Sequence, residues 1–267
     1  MKNNLNIVIE KVKKRKNIGI MTHLVTGYPT LAFSKKLAKI LVKGGADIIE
    51  IQIPFSDPMA DGPLIVEACQ KSLENGTRIK DSFKLAKFVT KNLQTPVVIM
   101  TYANILIHIG IENFCNTCKK NGVSGLIVPD LPYDSEECKI LQKYTKKLEI
   151  HLIYVLSPAI EDLRLKEIKK LASGFLYCTS RQGTTGTGKK FAKNIISYLA
   201  RIRKKSSIPL AVGFGISSSK DLKFIREYAQ IGVIGSAIIN IIRKHKSSEV
   251  LPLIRKFMAQ LIKYATF

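Results

Sequence analysis

ADIIEIQIPFSDPMADG, residues 46–62, joins a short β-rich run to a stiff acidic loop. Isoleucines at 48, 49, 51 and 53 put apolar side chains on both faces, the pattern of a strand buried on both sides as in a parallel sheet. Strand alternation sets Glu50 and Gln52 on one face. A carboxylate aimed into a sheet interior costs free energy unless it is paired or functional, so Glu50 is the first candidate for general acid–base work. A surface glutamate on a frayed strand fits poorly, because both its neighbours are isoleucine. Asp57 and Asp61 follow in a loop bounded by Pro54, Pro58 and Pro63, which restrict the backbone. Either aspartate can serve chemistry, close an Asx-turn or cap the helix expected from about Pro63.

The same unit recurs along the chain. Comparable runs are IGIMTHLV from Ile18, PVVIMTY from Pro96, GLIVPD from Gly125, EIHLIYVLS from Glu149, GFLYCTS from Gly174, PLAVGFG from Pro209 and IGVIGS from Ile231. Between them lie amphipathic stretches such as AFSKKLAKILVKGG, IENFCNTCKKNG and SEECKILQKYTKK, several closed by glycine where a helix C-cap belongs. Eight strand–helix repeats predict an α/β fold, a (β/α)8 TIM barrel, with an open doubly wound sheet as the alternative. No linker interrupts the alternation, so residues 1–267 are expected to form a single domain, opened by a short N-terminal helix within Met1 to Asn17 and not by a targeting peptide. The longer connections, Ser56 to about Leu64 and Arg181 to about Phe191, follow the second and sixth strands on what would be the catalytic face.

Composition narrows the function classes. Apolar residues make up 46% and aromatics 7%, which suits an Ile/Leu/Val core. The net charge of +23 comes mostly from lysines spread over segments such as KVKKRK, KKLAK and KEIKK, where helix surfaces fall. Without interleaved aromatics or a single basic arm, the pattern reads as solvated helix faces and not a nucleic-acid site, although such a field helps attract a phosphate ester at low salt. Five scattered cysteines at 69, 115, 118, 138 and 178, with no secretory signal, suggest a reducing cytoplasm. Cys115 and Cys118 form a lone CxxC inside a helical stretch and read as ordinary thiols. The histidines at 23, 108, 151 and 245 are isolated, so no metal site is expected. There is no apolar run long enough to span a membrane.

Three glycine-containing segments end the sixth, seventh and eighth strands: SRQGTTGTG, GFGISSS and GSA. Gly186, Gly215 and Gly235 let backbone amides approach a ligand closely, and Ser236 can open a helix whose N-terminus favours an anion. Together they suggest the phosphate site common among barrels; singly, each is more often a turn residue. No P-loop or dinucleotide fingerprint is present. Strand ends lack lysine, which disfavours Schiff-base chemistry. Tyr102 and Tyr177 can supply hydroxyls or serve as buried structural tyrosines.

With these residues in view, the chain resembles the tryptophan synthase alpha subunit family. The run from Ala46 to Pro63 looks like that family's signature, and TGYP from Thr26, TYAN from Thr101, VPDLP from Val128, SRQGTTG from Ser180, GFGIS from Gly213 and GSAI from Gly235 fall in the family's order. The resemblance implies retro-aldol cleavage of indole-3-glycerol phosphate to indole and glyceraldehyde 3-phosphate. By the same resemblance, Glu50 would be the acid and base, Asp61 would stabilise the indole N–H, and Tyr177 would position them. Gly186, Gly215, Gly235 and Ser236 would hold the phosphate, Thr185 would lie on a closing loop, and Tyr102 would line the substrate site. No cofactor is implied in this chain; the expected partner is a pyridoxal-phosphate-dependent beta subunit in an alpha2beta2 heterotetramer. Two positions depart from the family pattern. Gln52 stands where glycine is usual and is expected to crowd the pocket or Glu50, and His23 stands where phenylalanine is familiar. Another phosphate-barrel chemistry of the same pathway would want a lysine or cysteine at a strand end, while a non-catalytic barrel that binds and activates the beta subunit is the alternative that Gln52 raises.

Overall fold

The computed structural model describes residues 3–14, 18–179, 193–213 and 215–263. Nine parallel segments form one sheet: β1 (Gly19–Val25), β2 (Ile48–Gln52), β3 (Val97–Met100), β4 (Val123–Ile127), β5 (His151–Ile153), β6 (Val155–Leu156), β7 (Leu176–Thr179), β8 (Leu210–Gly213) and β9 (Ile231–Ile234). Their order is β5-β4-β3-β2-β1-β9-β8-β7-β6. The two ends of that list are consecutive in the chain. β5 pairs with β4 and β6 with β7, and at the junction the Tyr154 carbonyl accepts from the Tyr177 amide at 2.9 Å. The run expected as one fifth strand is thus two short pieces that hand their hydrogen bonds from one neighbour to the other and close the barrel.

Helices α1 (Asn4–Lys14), α2 (Leu31–Lys43), α3 (Pro63–Glu74), α4 (Ile79–Asn92), α5 (Ala103–Ile109), α6 (Ile111–Lys120) and α7 (Glu136–Lys147) accompany the first half of the barrel. α8 (Asp162–Leu171), α9 (Lys193–Lys205), α10 (Ser219–Ile225), α11 (Ser236–Lys244) and α12 (Ser247–Ile262) accompany the second. The lysines of α2 at 35, 36, 39 and 43 are exposed while Leu37, Ala38 and Leu41 face inward, so charge and core divide along the helical period. Cys115 and Cys118 lie buried on the inner face of α6. No helix among the described residues is long and apolar enough to cross a membrane.

Alternation divides each strand between two cores. Ile49 and Ile51 of β2 face the helices; Ile48 faces the barrel axis with Met21, Val98, Phe175, Ala211 and Ile231. α1 closes the N-terminal end of that axis with Leu5 and Ile9, and Asn3 ties it down by donating to the Ser124 and Glu149 carbonyls at 2.9 and 2.7 Å. The interior is therefore dry and apolar at one end. Two residues further along the strands, at the C-terminal end, the same face carries His23, Glu50 and Tyr177.

Candidate active site

A cavity opens at the C-terminal end of the barrel. Its walls are the apolar side chains of Ile65, Met100, Ile127, Pro129, Val155 and Val233; its polar lining includes His23, Glu50, Asp61, Tyr177, Thr179 and Ser236, with backbone at Ala60, Gly213, Gly215 and Gly235. Glu50 is 2% exposed. It reaches this position because β2 points Ile48, Glu50 and Gln52 inward in succession.

Its neighbour across the sheet is His23, paired with Glu50 in the parallel register of β1 and β2. His23 Nδ1 stands 3.4 Å from Glu50 Oε2, and both side chains are buried. Burial alone would push the imidazole down, but Glu50 and Asp61, with Gln52, outweigh it and hold His23 above its ordinary value.

Asp61 enters from the loop after β2. It is 6% exposed, and its Oδ2 accepts from Gln52 Nε2 at 2.6 Å and from the Tyr102 hydroxyl at 2.8 Å. The Ala60 amide donates to the same hydroxyl at 3.2 Å, and Phe55 stacks on the Tyr102 ring at 5.2 Å. Burial pushes the Asp61 carboxyl up, while His23 and the two side-chain donors pull against that rise. Asp61 is held by the Gln52 and Tyr102 side chains and does not cap α3, which begins after Gly62 with no side-chain cap. Asp57, by contrast, is exposed and bonded to Ser56.

Gln52 was expected to crowd the pocket or Glu50. Its side chain instead turns to Asp61, with Cys69 Sγ a second contact at 3.5 Å. It anchors the loop carboxylate and does not line the cavity.

Tyr177 on β7 lines the cavity, and burial pushes its phenol well above the ordinary value, with Glu50 and Asp61 adding to the rise. The ring fits because Gly213, two residues beyond its register partner Ala211 on β8, leaves it room: an added Cβ there would lie 2.7 Å from the Tyr177 hydroxyl. Gly235 has a like role beside His23: a Cβ there would lie 3.2 Å from the His23 Cβ and 3.4 Å from Cγ. Gly215 adopts φ +67°, a left-handed conformation that favours glycine. Ser236 begins α11 at the cavity edge, giving the expected helix N-terminus. Tyr102 bonds to Asp61 just after β3. Thr185 and Gly186 lie outside the described residues.

Sequence reasoning missed the contacts of His23 and Gln52. Alternation places Gln52 on the Glu50 face, but only the loop path shows that it meets Asp61. Among the described residues no group of three or more His, Cys, Asp or Glu side chains is gathered to hold a metal ion.

A parallel barrel with two buried carboxylates in a cavity at the strands' C-terminal end is the architecture of a (β/α)8 enzyme. The family model for the tryptophan synthase alpha chain matches residues 9–264. Over 250 residues the chain is 39% identical to the tryptophan synthase alpha chain of Desulfotalea psychrophila, covering 94% of this chain and 98% of that one. It is 41% identical to that of Petrotoga mobilis over 246 residues, with 91% and 94% covered. A solved tryptophan synthase from Mycobacterium tuberculosis superposes with a TM-score of 0.90 at 27% identity, covering 100% of both chains. A mutant alpha-subunit from Pyrococcus furiosus gives 0.85 at 29% identity, covering 92% of this chain and 98% of that one. The chain belongs to the tryptophan synthase alpha chain family.

Proposed function

We propose that this chain cleaves indole-3-glycerol phosphate to indole and glyceraldehyde 3-phosphate, with Glu50 and Asp61 as its catalytic residues. The observation that carries the assignment of roles is the burial of these two carboxylates, the only two acidic side chains lining the cavity among the described residues.

The carbon–carbon bond breaks only if its electrons have somewhere to go. Glu50 delivers a proton to indole C3, and the ring becomes a cationic, iminium-like acceptor. Asp61, fixed by Gln52 and Tyr102, faces the ring N–H and stabilises the positive charge. The Glu50 carboxylate then takes the proton of the glycerol hydroxyl next to the bond. Its O–H electrons become the aldehyde carbonyl, the C–C pair returns to the ring, and indole leaves. One proton is given and one recovered, so Glu50 ends as it began. Tyr177, which lines the same cavity, helps to position the two carboxylates. Gly215, Gly235 and the α11 N-terminus at Ser236 form the anion end.

A beta subunit carrying pyridoxal phosphate receives the indole, in an alpha2beta2 assembly in the cytoplasm. The loop after β2 suits that contact: it carries Asp61 inward and Met59, 82% exposed, outward, so docking there would bear on the site.

Indole release by the purified chain, with and without a beta subunit, tests the reading. Wild type should release indole, faster with the partner, and Glu50→Gln and Asp61→Asn should each lose about 10²- to 10⁴-fold. A wild-type chain that binds its partner yet releases none would make the barrel non-catalytic.

A further inference from the structure

His23 does not fit the role of a buried histidine kept only for structure. It is 5% exposed, yet Nε2 makes no hydrogen bond of normal geometry among the described residues, although the Gln52 side chain lies near enough to help raise the imidazole. A histidine kept only for structure would normally satisfy both ring nitrogens, because burying an unpaired polar group costs free energy. Its other nitrogen faces Glu50 at 3.4 Å, and Glu50 Oε2 likewise has no other partner among the described residues. The fold also keeps room for the ring, since Gly235 at the end of β9 leaves free the space that a Cβ would take. Three independent features thus converge: strand register, a cleared wall and a charge-pair distance to the carboxylate that faces the cavity.

We propose that His23 is a positioning residue of this site, whose imidazole Nδ1 holds the Glu50 carboxylate in the orientation from which it exchanges protons with the substrate. The proposal rests on the assignment of Glu50 as the acid and base. It differs from simple ring packing, in which any flat apolar side chain would serve equally well.

The surroundings make His23 responsive to its neighbours. β2 contributes Glu50, and the following loop contributes Asp61. Cys69 of α3 is pushed up to about 12, and burial raises the phenols of Tyr102 and Tyr177. β9 and the buried faces of α2 and α11 bring no titratable group. The two carboxylates are therefore the charges that set the imidazole's proton affinity.

The test uses the full-length chain with its beta subunit and two substitutions. His23→Phe keeps a flat ring and removes the nitrogen; His23→Asn places an amide N–H near the position of Nδ1. Small misplacements of a reacting group cost one to two orders of magnitude, so His23→Phe should lower kcat about 10-fold or more with KM within about twofold, and His23→Asn should recover most of it. In parallel, NMR titration of the His23 imidazole, without substrate, should give a value above the ordinary one that drops in Glu50→Gln. Wild-type kcat in His23→Phe would overturn the proposal, as would equal loss in both variants or a loss confined to KM, which would mark packing alone. If wild type releases no indole, the catalytic reading fails separately, and a His23 titration indifferent to Glu50→Gln then removes the contact as well.

Discussion

Gly213→Ala isolates one contact on which the site depends. The new Cβ would lie 2.7 Å from the Tyr177 hydroxyl, 2.9 Å from Cε1 and 3.1 Å from Cζ. Ordinary contacts lie at about 3.5–4.0 Å, so the ring must shift by roughly 0.5–1 Å. β8 cannot give way easily, because Gly213 is paired with Thr179 of β7 and buried within the sheet. The ring can, because Tyr177 borders the cavity. Overpacking typically costs about 1–3 kcal/mol, and an escape route into open space puts this case near the lower end. At about 2–4 °C per kcal/mol for a chain of this size, Tm should fall by only a few degrees. Activity should fall further, since the displaced ring occupies substrate volume: about 10-fold or more in kcat/KM, by the sensitivity of such sites to misplacement. Calorimetry and indole release measure the two losses on the same preparations. Tyr177→Leu in the Gly213→Ala background removes the clashing ring and should restore the lost stability, giving a coupling of the order of 1 kcal/mol in a double-mutant cycle. Wild-type Tm and kcat/KM in Gly213→Ala, or additive losses in the cycle, would refute the argument.

Other consequences follow from the same geometry. Gln52→Met keeps the volume but removes one of the two side-chain donors to Asp61, so the Asp61 carboxyl should rise further. Asp61 must be ionised to stabilise a cation, and the acid limb of kcat/KM against pH should therefore move to higher pH in this variant; an unmoved limb would count against Asp61 as the group titrated. Asp61 also carries a stability cost, because its folded pKa is raised above the unfolded value. Its contribution is most favourable below the unfolded pKa and is lost as pH rises through the folded one, so Asp61→Asn should raise Tm at neutral pH and lose that advantage in acid. The five cysteines are all buried and free, and burial pushes Cys115 and Cys178 up to about 12. Native protein should resist a thiol-reactive dye at pH 8 and take up five equivalents once unfolded.

What was legible in the sequence, and what was not, follows the range of the interactions involved. Strand runs, helical periods and glycine stops are local, and they sufficed for an eight-unit barrel and for the inward aim of Glu50 between two isoleucines. The fifth strand shows the limit. Its composition reads as one run, but its division around Tyr154 depends on a handover between β4 and β7, which lie on either side of it in space. Asp61 left three uses open on the page, since an aspartate in a proline-bounded loop looks the same whether it turns, caps or faces a ligand. Only the folded chain brings it against Gln52 and Tyr102. Gln52, which by sequence threatens the pocket, becomes an anchor for the same reason. His23 lies 27 positions from Glu50 and meets it only through the register of β1 against β2. Sequence alone determined which residues face inward, because alternation is a property of a single strand. Which of them meet was decided by tertiary structure, because register and barrel closure are set between strands distant in the chain.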